Sequence, residues 1–187
     1  MIFKFRIVSD EVENYKREIQ IDAQATFLDL KNAICESNGW DKTMMDSFFL
    51  CDYGWEKQKE VTYEDMGNDS DQEVWLMDDT VLEDMIDDEG QRLLFVFDYL
   101  TDRALFMEMI ELTPGKTLKD PVCSLSRGQA PRQTVDLSEI DTITEQKVAK
   151  DNKAAKAAAE DFDEEFYGSE EFSPEEFEGA GYEEMDF

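Results

Sequence analysis

The chain is 187 residues long and carries 47 acidic against 18 basic side chains, a formal net charge of −29. It contains no histidine, which excludes Ser-His-Asp and Cys-His catalysis and removes the commonest metal ligand. No apolar run approaches the roughly 18 residues that a membrane helix needs, and three widely spaced cysteines, Cys35, Cys51 and Cys123, form neither a disulfide framework nor a zinc ribbon.

From the N-terminus, residues 2–8 alternate, with Phe3, Phe5 and Ile7 against Ile2, Lys4 and Arg6. That is the period of a strand with one buried face. A polar stretch follows. Residues 15–22 then alternate again, with Tyr15, Arg17, Ile19 and Ile21 on one side, so the two runs predict a hairpin. Thr26 and Asp29 form a capping-box pattern. Behind it, Phe27, Leu30, Ala33 and Ile34 make the apolar stripe of a helix that Asn38-Gly39 stops. Residues 48–51 predict a third strand. This β-β-α-β order is the one that opens a β-grasp domain.

Residues 61–66 read as a turn or short helical segment, 68–71 as a loop and 73–77 as a short strand. Thr80 is placed to cap a turn around Val81, Leu82 and Met85. Residues 92–97 and 104–112 form a second antiparallel hairpin, with Leu105, Met107 and Met109 opposed to Phe106, Glu108 and Ile110; Pro114-Gly115 ends it. Phe48, Phe49, Trp75, Phe95 and Phe97 are the expected aromatic core. The fold class expected is therefore α+β, a β-grasp-like body over residues 1–134.

The charge divides the chain further. Residues 135–159 hold four lysines and five acids in an Ala/Lys-rich stretch of strong helix formers without an apolar stripe, which predicts a solvated helical spacer. Residues 160–187 hold thirteen acids, no basic residue and seven aromatics. A plain solubility tail is poor in aromatics. Acids interleaved with Phe172, Phe177, Tyr182 and Phe187 instead fit docking motifs of a disordered arm that enter a basic groove with apolar pockets. The last six residues also resemble the acidic, phenylalanine-ended tip of bacterial single-stranded-DNA-binding proteins.

Other candidates carry less. Asp69, Asp71 and Glu73 begin with calcium-loop spacing, but the sixth position is not glycine and the twelfth is not glutamate. A solvated acidic loop is expected, with no metal and no cofactor, and the same holds for Asp78, Asp79, Asp84, Asp87 and Asp88. No carboxylate pair stands out as a general acid and base. Trp40 and Trp55 each lie beside a glycine in turn-like sequence and are candidate partner anchors. Cys35, next to Ile34 on the helix, reads as a packing residue.

Several of these landmarks occur together. The first hairpin, the helix ending in Asn38-Gly39-Trp40-Asp41, the strand at Phe48, Tyr53-Gly54, the turn Phe97-Asp98-Tyr99, and Pro121-Val122-Cys123 with Gly128 and Pro131 stand in the order found in the Ri-plasmid open-reading-frame-three-like family. The chain resembles that family over roughly residues 1–134. Its members are often labelled transposon-passenger resolvase-like proteins, and the resemblance implies a compact α+β domain. Relatives usually carry Tyr-Asp-Phe-Gly-Asp followed by a tryptophan and a histidine in the last hairpin. Here residues 97–102 read Phe-Asp-Tyr-Leu-Thr-Asp, with Phe106 near the place of the polar residue. A recombinase also needs an arginine-rich phosphate site, and the six arginines, at 6, 17, 92, 103, 127 and 132, are scattered.

The functional expectation is a non-enzymatic interaction or accessory module of the cytoplasm. Its acidic-aromatic arm would dock on a basic protein, such as polymerase, ribosome or transposase-type machinery. Direct nucleic-acid binding is disfavoured, because it depends on cationic side chains displacing counterions from phosphates, and no membrane is involved. Two alternatives stand beside it: an acidic mimic of nucleic acid, and a hydrolase using a carboxylate-held metal.

Overall fold

The alternation of residues 2–8 becomes strand β1, Ile2–Val8, with Phe3, Phe5 and Ile7 fully buried in the computed structural model, which describes residues 1–64 and 74–135. Strand β2, Lys16–Asp22, pairs with it antiparallel and sets Ile19 opposite Phe5 on the same buried face. All described residues belong to the first of two units of the chain, Met1–Ile140.

Helix α1, Phe27–Asn38, starts at the predicted capping box. The Thr26 hydroxyl accepts the Asp29 N–H at 3.2 Å, and the Asp29 carboxylate accepts the Thr26 N–H at 3.0 Å, so two otherwise orphaned donors are satisfied. Gly39 closes the helix in the left-handed region, φ 68°, and the Trp40 N–H reaches back to the Cys35 carbonyl. Phe27, Leu30 and Ile34 are fully buried. Burial of each such side chain contributes roughly 1.5–3 kcal/mol before its entropy cost.

Strands β3, Ser47–Cys51, β4, Lys57–Thr62, and β5, Trp75–Leu76, extend the sheet on one side. Strands β6, Arg92–Asp98, and β7, Arg103–Thr113, form the predicted second hairpin. Strand β8, Val122–Arg127, adds to β2. The eight strands run β5-β4-β3-β6-β7-β1-β2-β8, antiparallel except for the short β4–β5 contact. Among the described residues the architecture is mixed α+β: one α-helix against one face of an eight-stranded sheet. A column of rings, Phe27 to Phe48 at 5.4 Å and Phe48 to Phe95 at 4.7 Å, joins helix to sheet. Among the described residues no helix is long and apolar enough to cross a membrane.

Local expectations are corrected at β4, Phe49, Trp75 and Thr80, and β8 is a strand for which there was none. Strand β4 occupies sequence expected, in part, to be a turn: four of its six residues are exposed and Val61 alone is fully buried, so it has no apolar period to read. Strand β8 is wholly exposed and equally silent in the sequence. Phe49 leaves the core, because Phe48 takes the helix side and strand alternation turns its neighbour to the other face, opposite Leu94; Trp75 is half-buried at the core margin. Thr80 caps nothing. Val81 precedes the 3-10 turn Leu82–Asp84 with no side-chain cap, and the Thr80 carbonyl instead accepts the Phe27 N–H.

Candidate functional site

Around β4, the β6–β7 turn and residues 133–135 lies a groove of about 1080 Å³. Four carboxylates, Asp46, Glu60, Glu64 and Asp98, line it together with the rings of Tyr63, Trp75, Phe97 and Tyr99; among the described residues Lys59 is its one basic residue. Glu64, Val74 and Val135 at its margin adjoin segments outside the described residues.

Its floor is charged and closed to water. Lys31, fully buried on α1, donates to the Met44 carbonyl at 2.9 Å and lies 3.2 Å above the Tyr63 ring. Its Nζ is 3.0 Å from Asp46 Oδ1, yet neither Asp46 oxygen receives a well-aligned hydrogen bond. This is a Coulombic contact more than a bonded pair. Burial pushes the Asp46 carboxyl up to about 7, with the Lys31 charge pulling the other way. Above it, the Tyr99 hydroxyl donates to Ser47 Oγ, and Ser47 Oγ donates to Glu60 at 2.7 Å. Burial first, and then the nearby Glu60 charge, raise the Tyr99 hydroxyl to about 12, so it stays a protonated donor.

The remaining buried cations act as ties. Arg103 grips Glu11 through two bonds of 2.7 and 2.8 Å, donates to the Arg132 carbonyl at 2.7 Å and lies over the Phe97 ring. Arg17 donates to the Ser37 carbonyl at the end of α1 and to the carbonyls of Arg127 and Gly128. Gly128 has φ 72°, and a Cβ there would meet the Asn14 carbonyl oxygen at 2.5 Å. Asp41 and Gln133 exchange two bonds of 2.8 Å. Residues 127–133 are thus strapped along the end of the helix.

The tryptophans singled out in the sequence both have contacts. Trp40 is half-buried, its ring 4.6 Å from Phe97 and its indole N–H bonded to the Pro131 carbonyl at 3.0 Å. Trp55, in the left-handed region at φ 67°, sets its ring edge-on to Phe106 at 5.0 Å on the sheet face opposite the helix, beside Arg92. Phe172, Phe177, Tyr182 and Phe187 lie outside the described residues, as do the spacer helix and Asp69, Asp71 and Glu73. Cys35 is buried, and burial raises its thiol to about 11.

The groove itself escaped the sequence. One signal was available: Lys31 sits four residues after Phe27 and three before Ile34, which places it on the buried stripe of α1. Nothing adjacent in the chain marks Asp46, Tyr63 or Tyr99 as its neighbours.

A family model described as plasmid pRiA4b ORF-3-like protein matches residues 2–184. No curated protein matches the chain. Among solved structures, the chain is similar to the crystal structure of a protein of unknown function from Methanosarcina mazei Go1, at 15% identity and TM-score 0.52, over 67% of this chain and 68% of that one. At that identity the likeness is one of fold.

Proposed function

The chain belongs to the plasmid pRiA4b ORF-3-like family, and we propose that it is a non-enzymatic interaction module that engages a basic protein. One observation carries this reading: the groove presents the exposed carboxylates of Glu60 and Glu64 beside the accessible rings of Tyr63, Trp75 and Tyr99, with Lys59 the one basic residue among its described lining. Carboxylates form charge-assisted bonds with guanidinium and ammonium groups, and ring faces attract the same cations. Such a lining suits arginine and lysine side chains of a partner. The arm of residues 160–187, with thirteen acids and seven aromatics, has the same chemistry in extended form. Both elements favour the basic surfaces of nucleic-acid machinery.

The polar groups of the groove support a binding role over catalysis. Tyr99 donates to Ser47 and Ser47 to Glu60, and the raised Tyr99 hydroxyl stays protonated near neutral pH. The β-β-α-β opening, with α1 packed beside β2, supports the β-grasp-like description of the body.

Calorimetry with an arginine-glycine repeat peptide and the full-length protein tests the reading. Binding should weaken as salt rises, because exposed charges are screened. Glu64→Arg should weaken it at the groove, and the triple change of Phe177, Tyr182 and Phe187 to alanine should weaken capture of basic proteins from a lysate while keeping the charge. If all variants bind like the parent, the module reading fails. Binding that survives the loss of aromatics and disappears on reversing acids would instead make the chain a polyanionic mimic of nucleic acid.

A further inference from the structure

The two edges of the sheet differ. At one, β5 is two residues long, too short to template a neighbour. At the other, β8 runs six residues, all exposed, and pairs on one side only, with β2. Among the described residues its outer rim of backbone N–H and C=O groups has no strand beside it. Such a rim is a row of strong donors and acceptors held in register. Proteins commonly guard an edge with charge or proline along the strand. Here Pro121 precedes β8, Arg127 at its end is its only charge, and a register shift at Ser124 is the one irregularity.

The electrostatics of this edge oppose those of the whole chain. Residues 121–135 form the longest stretch without an acid, in a protein of net charge −29. Lys119 and Arg127, both exposed, flank the strand. The nearby acids are engaged. Glu18 lies 3.2 Å from the Lys4 ammonium and 3.0 Å from that of Lys16, and Asp22 accepts the N–H groups of Gln24 and Leu118. Asp120 is the remaining acid beside β8. Across the strand register, Val122, Leu125 and Arg127 share one face with Gln20, Glu18 and Lys16. Val122 and Leu125, 46% and 36% exposed, offer apolar contact between Lys119 and Arg127.

We infer that the β8 edge accepts an extended acidic segment of a partner protein as an added, ninth strand. Backbone bonds supply the affinity, and the charge pattern selects the partner. A second copy of the chain would bring Asp120 as well as Lys119 to the other copy's Arg127, and so offers less charge complementarity than an acidic segment. This site is distinct from the groove and independent of the basic-partner reading.

Cys123, exposed in the middle of β8, reports occupancy, and half-buried Cys51 is the internal reference. The full-length protein is alkylated with a maleimide in the presence of a ten-residue peptide alternating glutamate and valine, or its lysine–valine counterpart. With glutamate peptide at four times its Kd, about one site in five is free, so Cys123 alkylation should slow about fivefold. Cys51 should not change, and the lysine peptide should not protect. Hydrogen exchange of amides 122–127 should slow in parallel. Protection should vanish in the Lys119→Glu/Arg127→Glu variant, whose melting temperature should match the parent's because both side chains are exposed. The proposal is overturned by any of four results. These are no protection at millimolar peptide, equal protection by both peptides, protection that survives charge reversal, or Cys123 protection without amide slowing. A free protein that sediments as a dimer with amides 122–127 already slow would assign the edge to a second copy and also overturn it.

Discussion

The two ends of the sheet hold their charges in opposite ways. At the β4 end, Lys31 and Asp46 are buried to 0% and 1% exposure beneath an acidic, aromatic groove. At the β8 end the charged side chains beside the edge, Lys119, Asp120 and Arg127, stand in solvent, and the carbonyls of Arg127 and Gly128 accept from the buried Arg17. The difference teaches that net charge describes this molecule poorly at short range. A body that is acidic in sum carries an acidic groove at one end of its sheet and, at the other, an edge where exposed Lys119 and Arg127 outnumber the one free acid, Asp120. It also separates two kinds of stability: a buried charge is sensitive to loss of its partner, whereas an exposed one is screened and contributes little.

The largest effect should come from the buried pair. Lys31→Met removes the counter-charge of Asp46 and raises its carboxyl further, so the loss, up to about 3–5 kcal/mol at pH 8, should shrink toward pH 5, read as a fall in the urea midpoint. Adding Asp46→Leu should recover most of that loss. If the double variant stays as unstable as the single one, packing around Met44 and Tyr63, not charge, dominates this end.

The same pair sets a pH signature. The folded Asp46 carboxyl titrates near 7, above its ordinary carboxylate value, so the folded state binds the proton more tightly than the unfolded state. Its contribution is fully present below about pH 4 and is lost as pH rises through 7. Asp46→Asn should therefore remove part of the stability that the parent gains between pH 8 and pH 5. Parallel slopes for parent and variant would show that the site does not titrate in this window.

At the other end, Gly128→Ala combines a positive φ with a Cβ 2.5 Å from the Asn14 oxygen. The left-handed conformation alone costs about 1–2 kcal/mol in a residue bearing a Cβ, and the clash adds to it. Hydrogen exchange should quicken at residues 122–128 and stay unchanged in β6 and β7. Uniform quickening would mean that β8 is not a separable edge.

The smallest effect should follow Trp40→Phe. Ring packing on Phe97 is largely kept and the indole bond to Pro131 is lost, for roughly 1 kcal/mol. A loss several times larger would make the strap over residues 127–133 part of the core.

Much of the body was legible. The first hairpin, α1 with both caps, β3 and the β6–β7 hairpin could be read because their apolar residues recur at the period of their own backbone. Phe49 was misplaced only because Phe48 and Phe49 are chemically alike and a strand must divide them between its faces. β4 and β8 were invisible for a different reason: both bury little, and they are strands because a neighbour offers them backbone bonds. The groove was hidden in the same way, since Lys31, Asp46, Tyr63 and Tyr99 come from separate elements.

The sequence by itself determined the element periods, the capping of α1, the distribution of charge and the family. Those are local or additive properties, set by side-chain spacing and by counting. Only the tertiary structure decided which edge lacks a neighbouring strand among the described residues, which lysine is buried and which carboxylate it meets. These depend on residues far apart in the chain approaching within a few ångströms, where burial and Coulomb energy are settled by the whole packed neighbourhood.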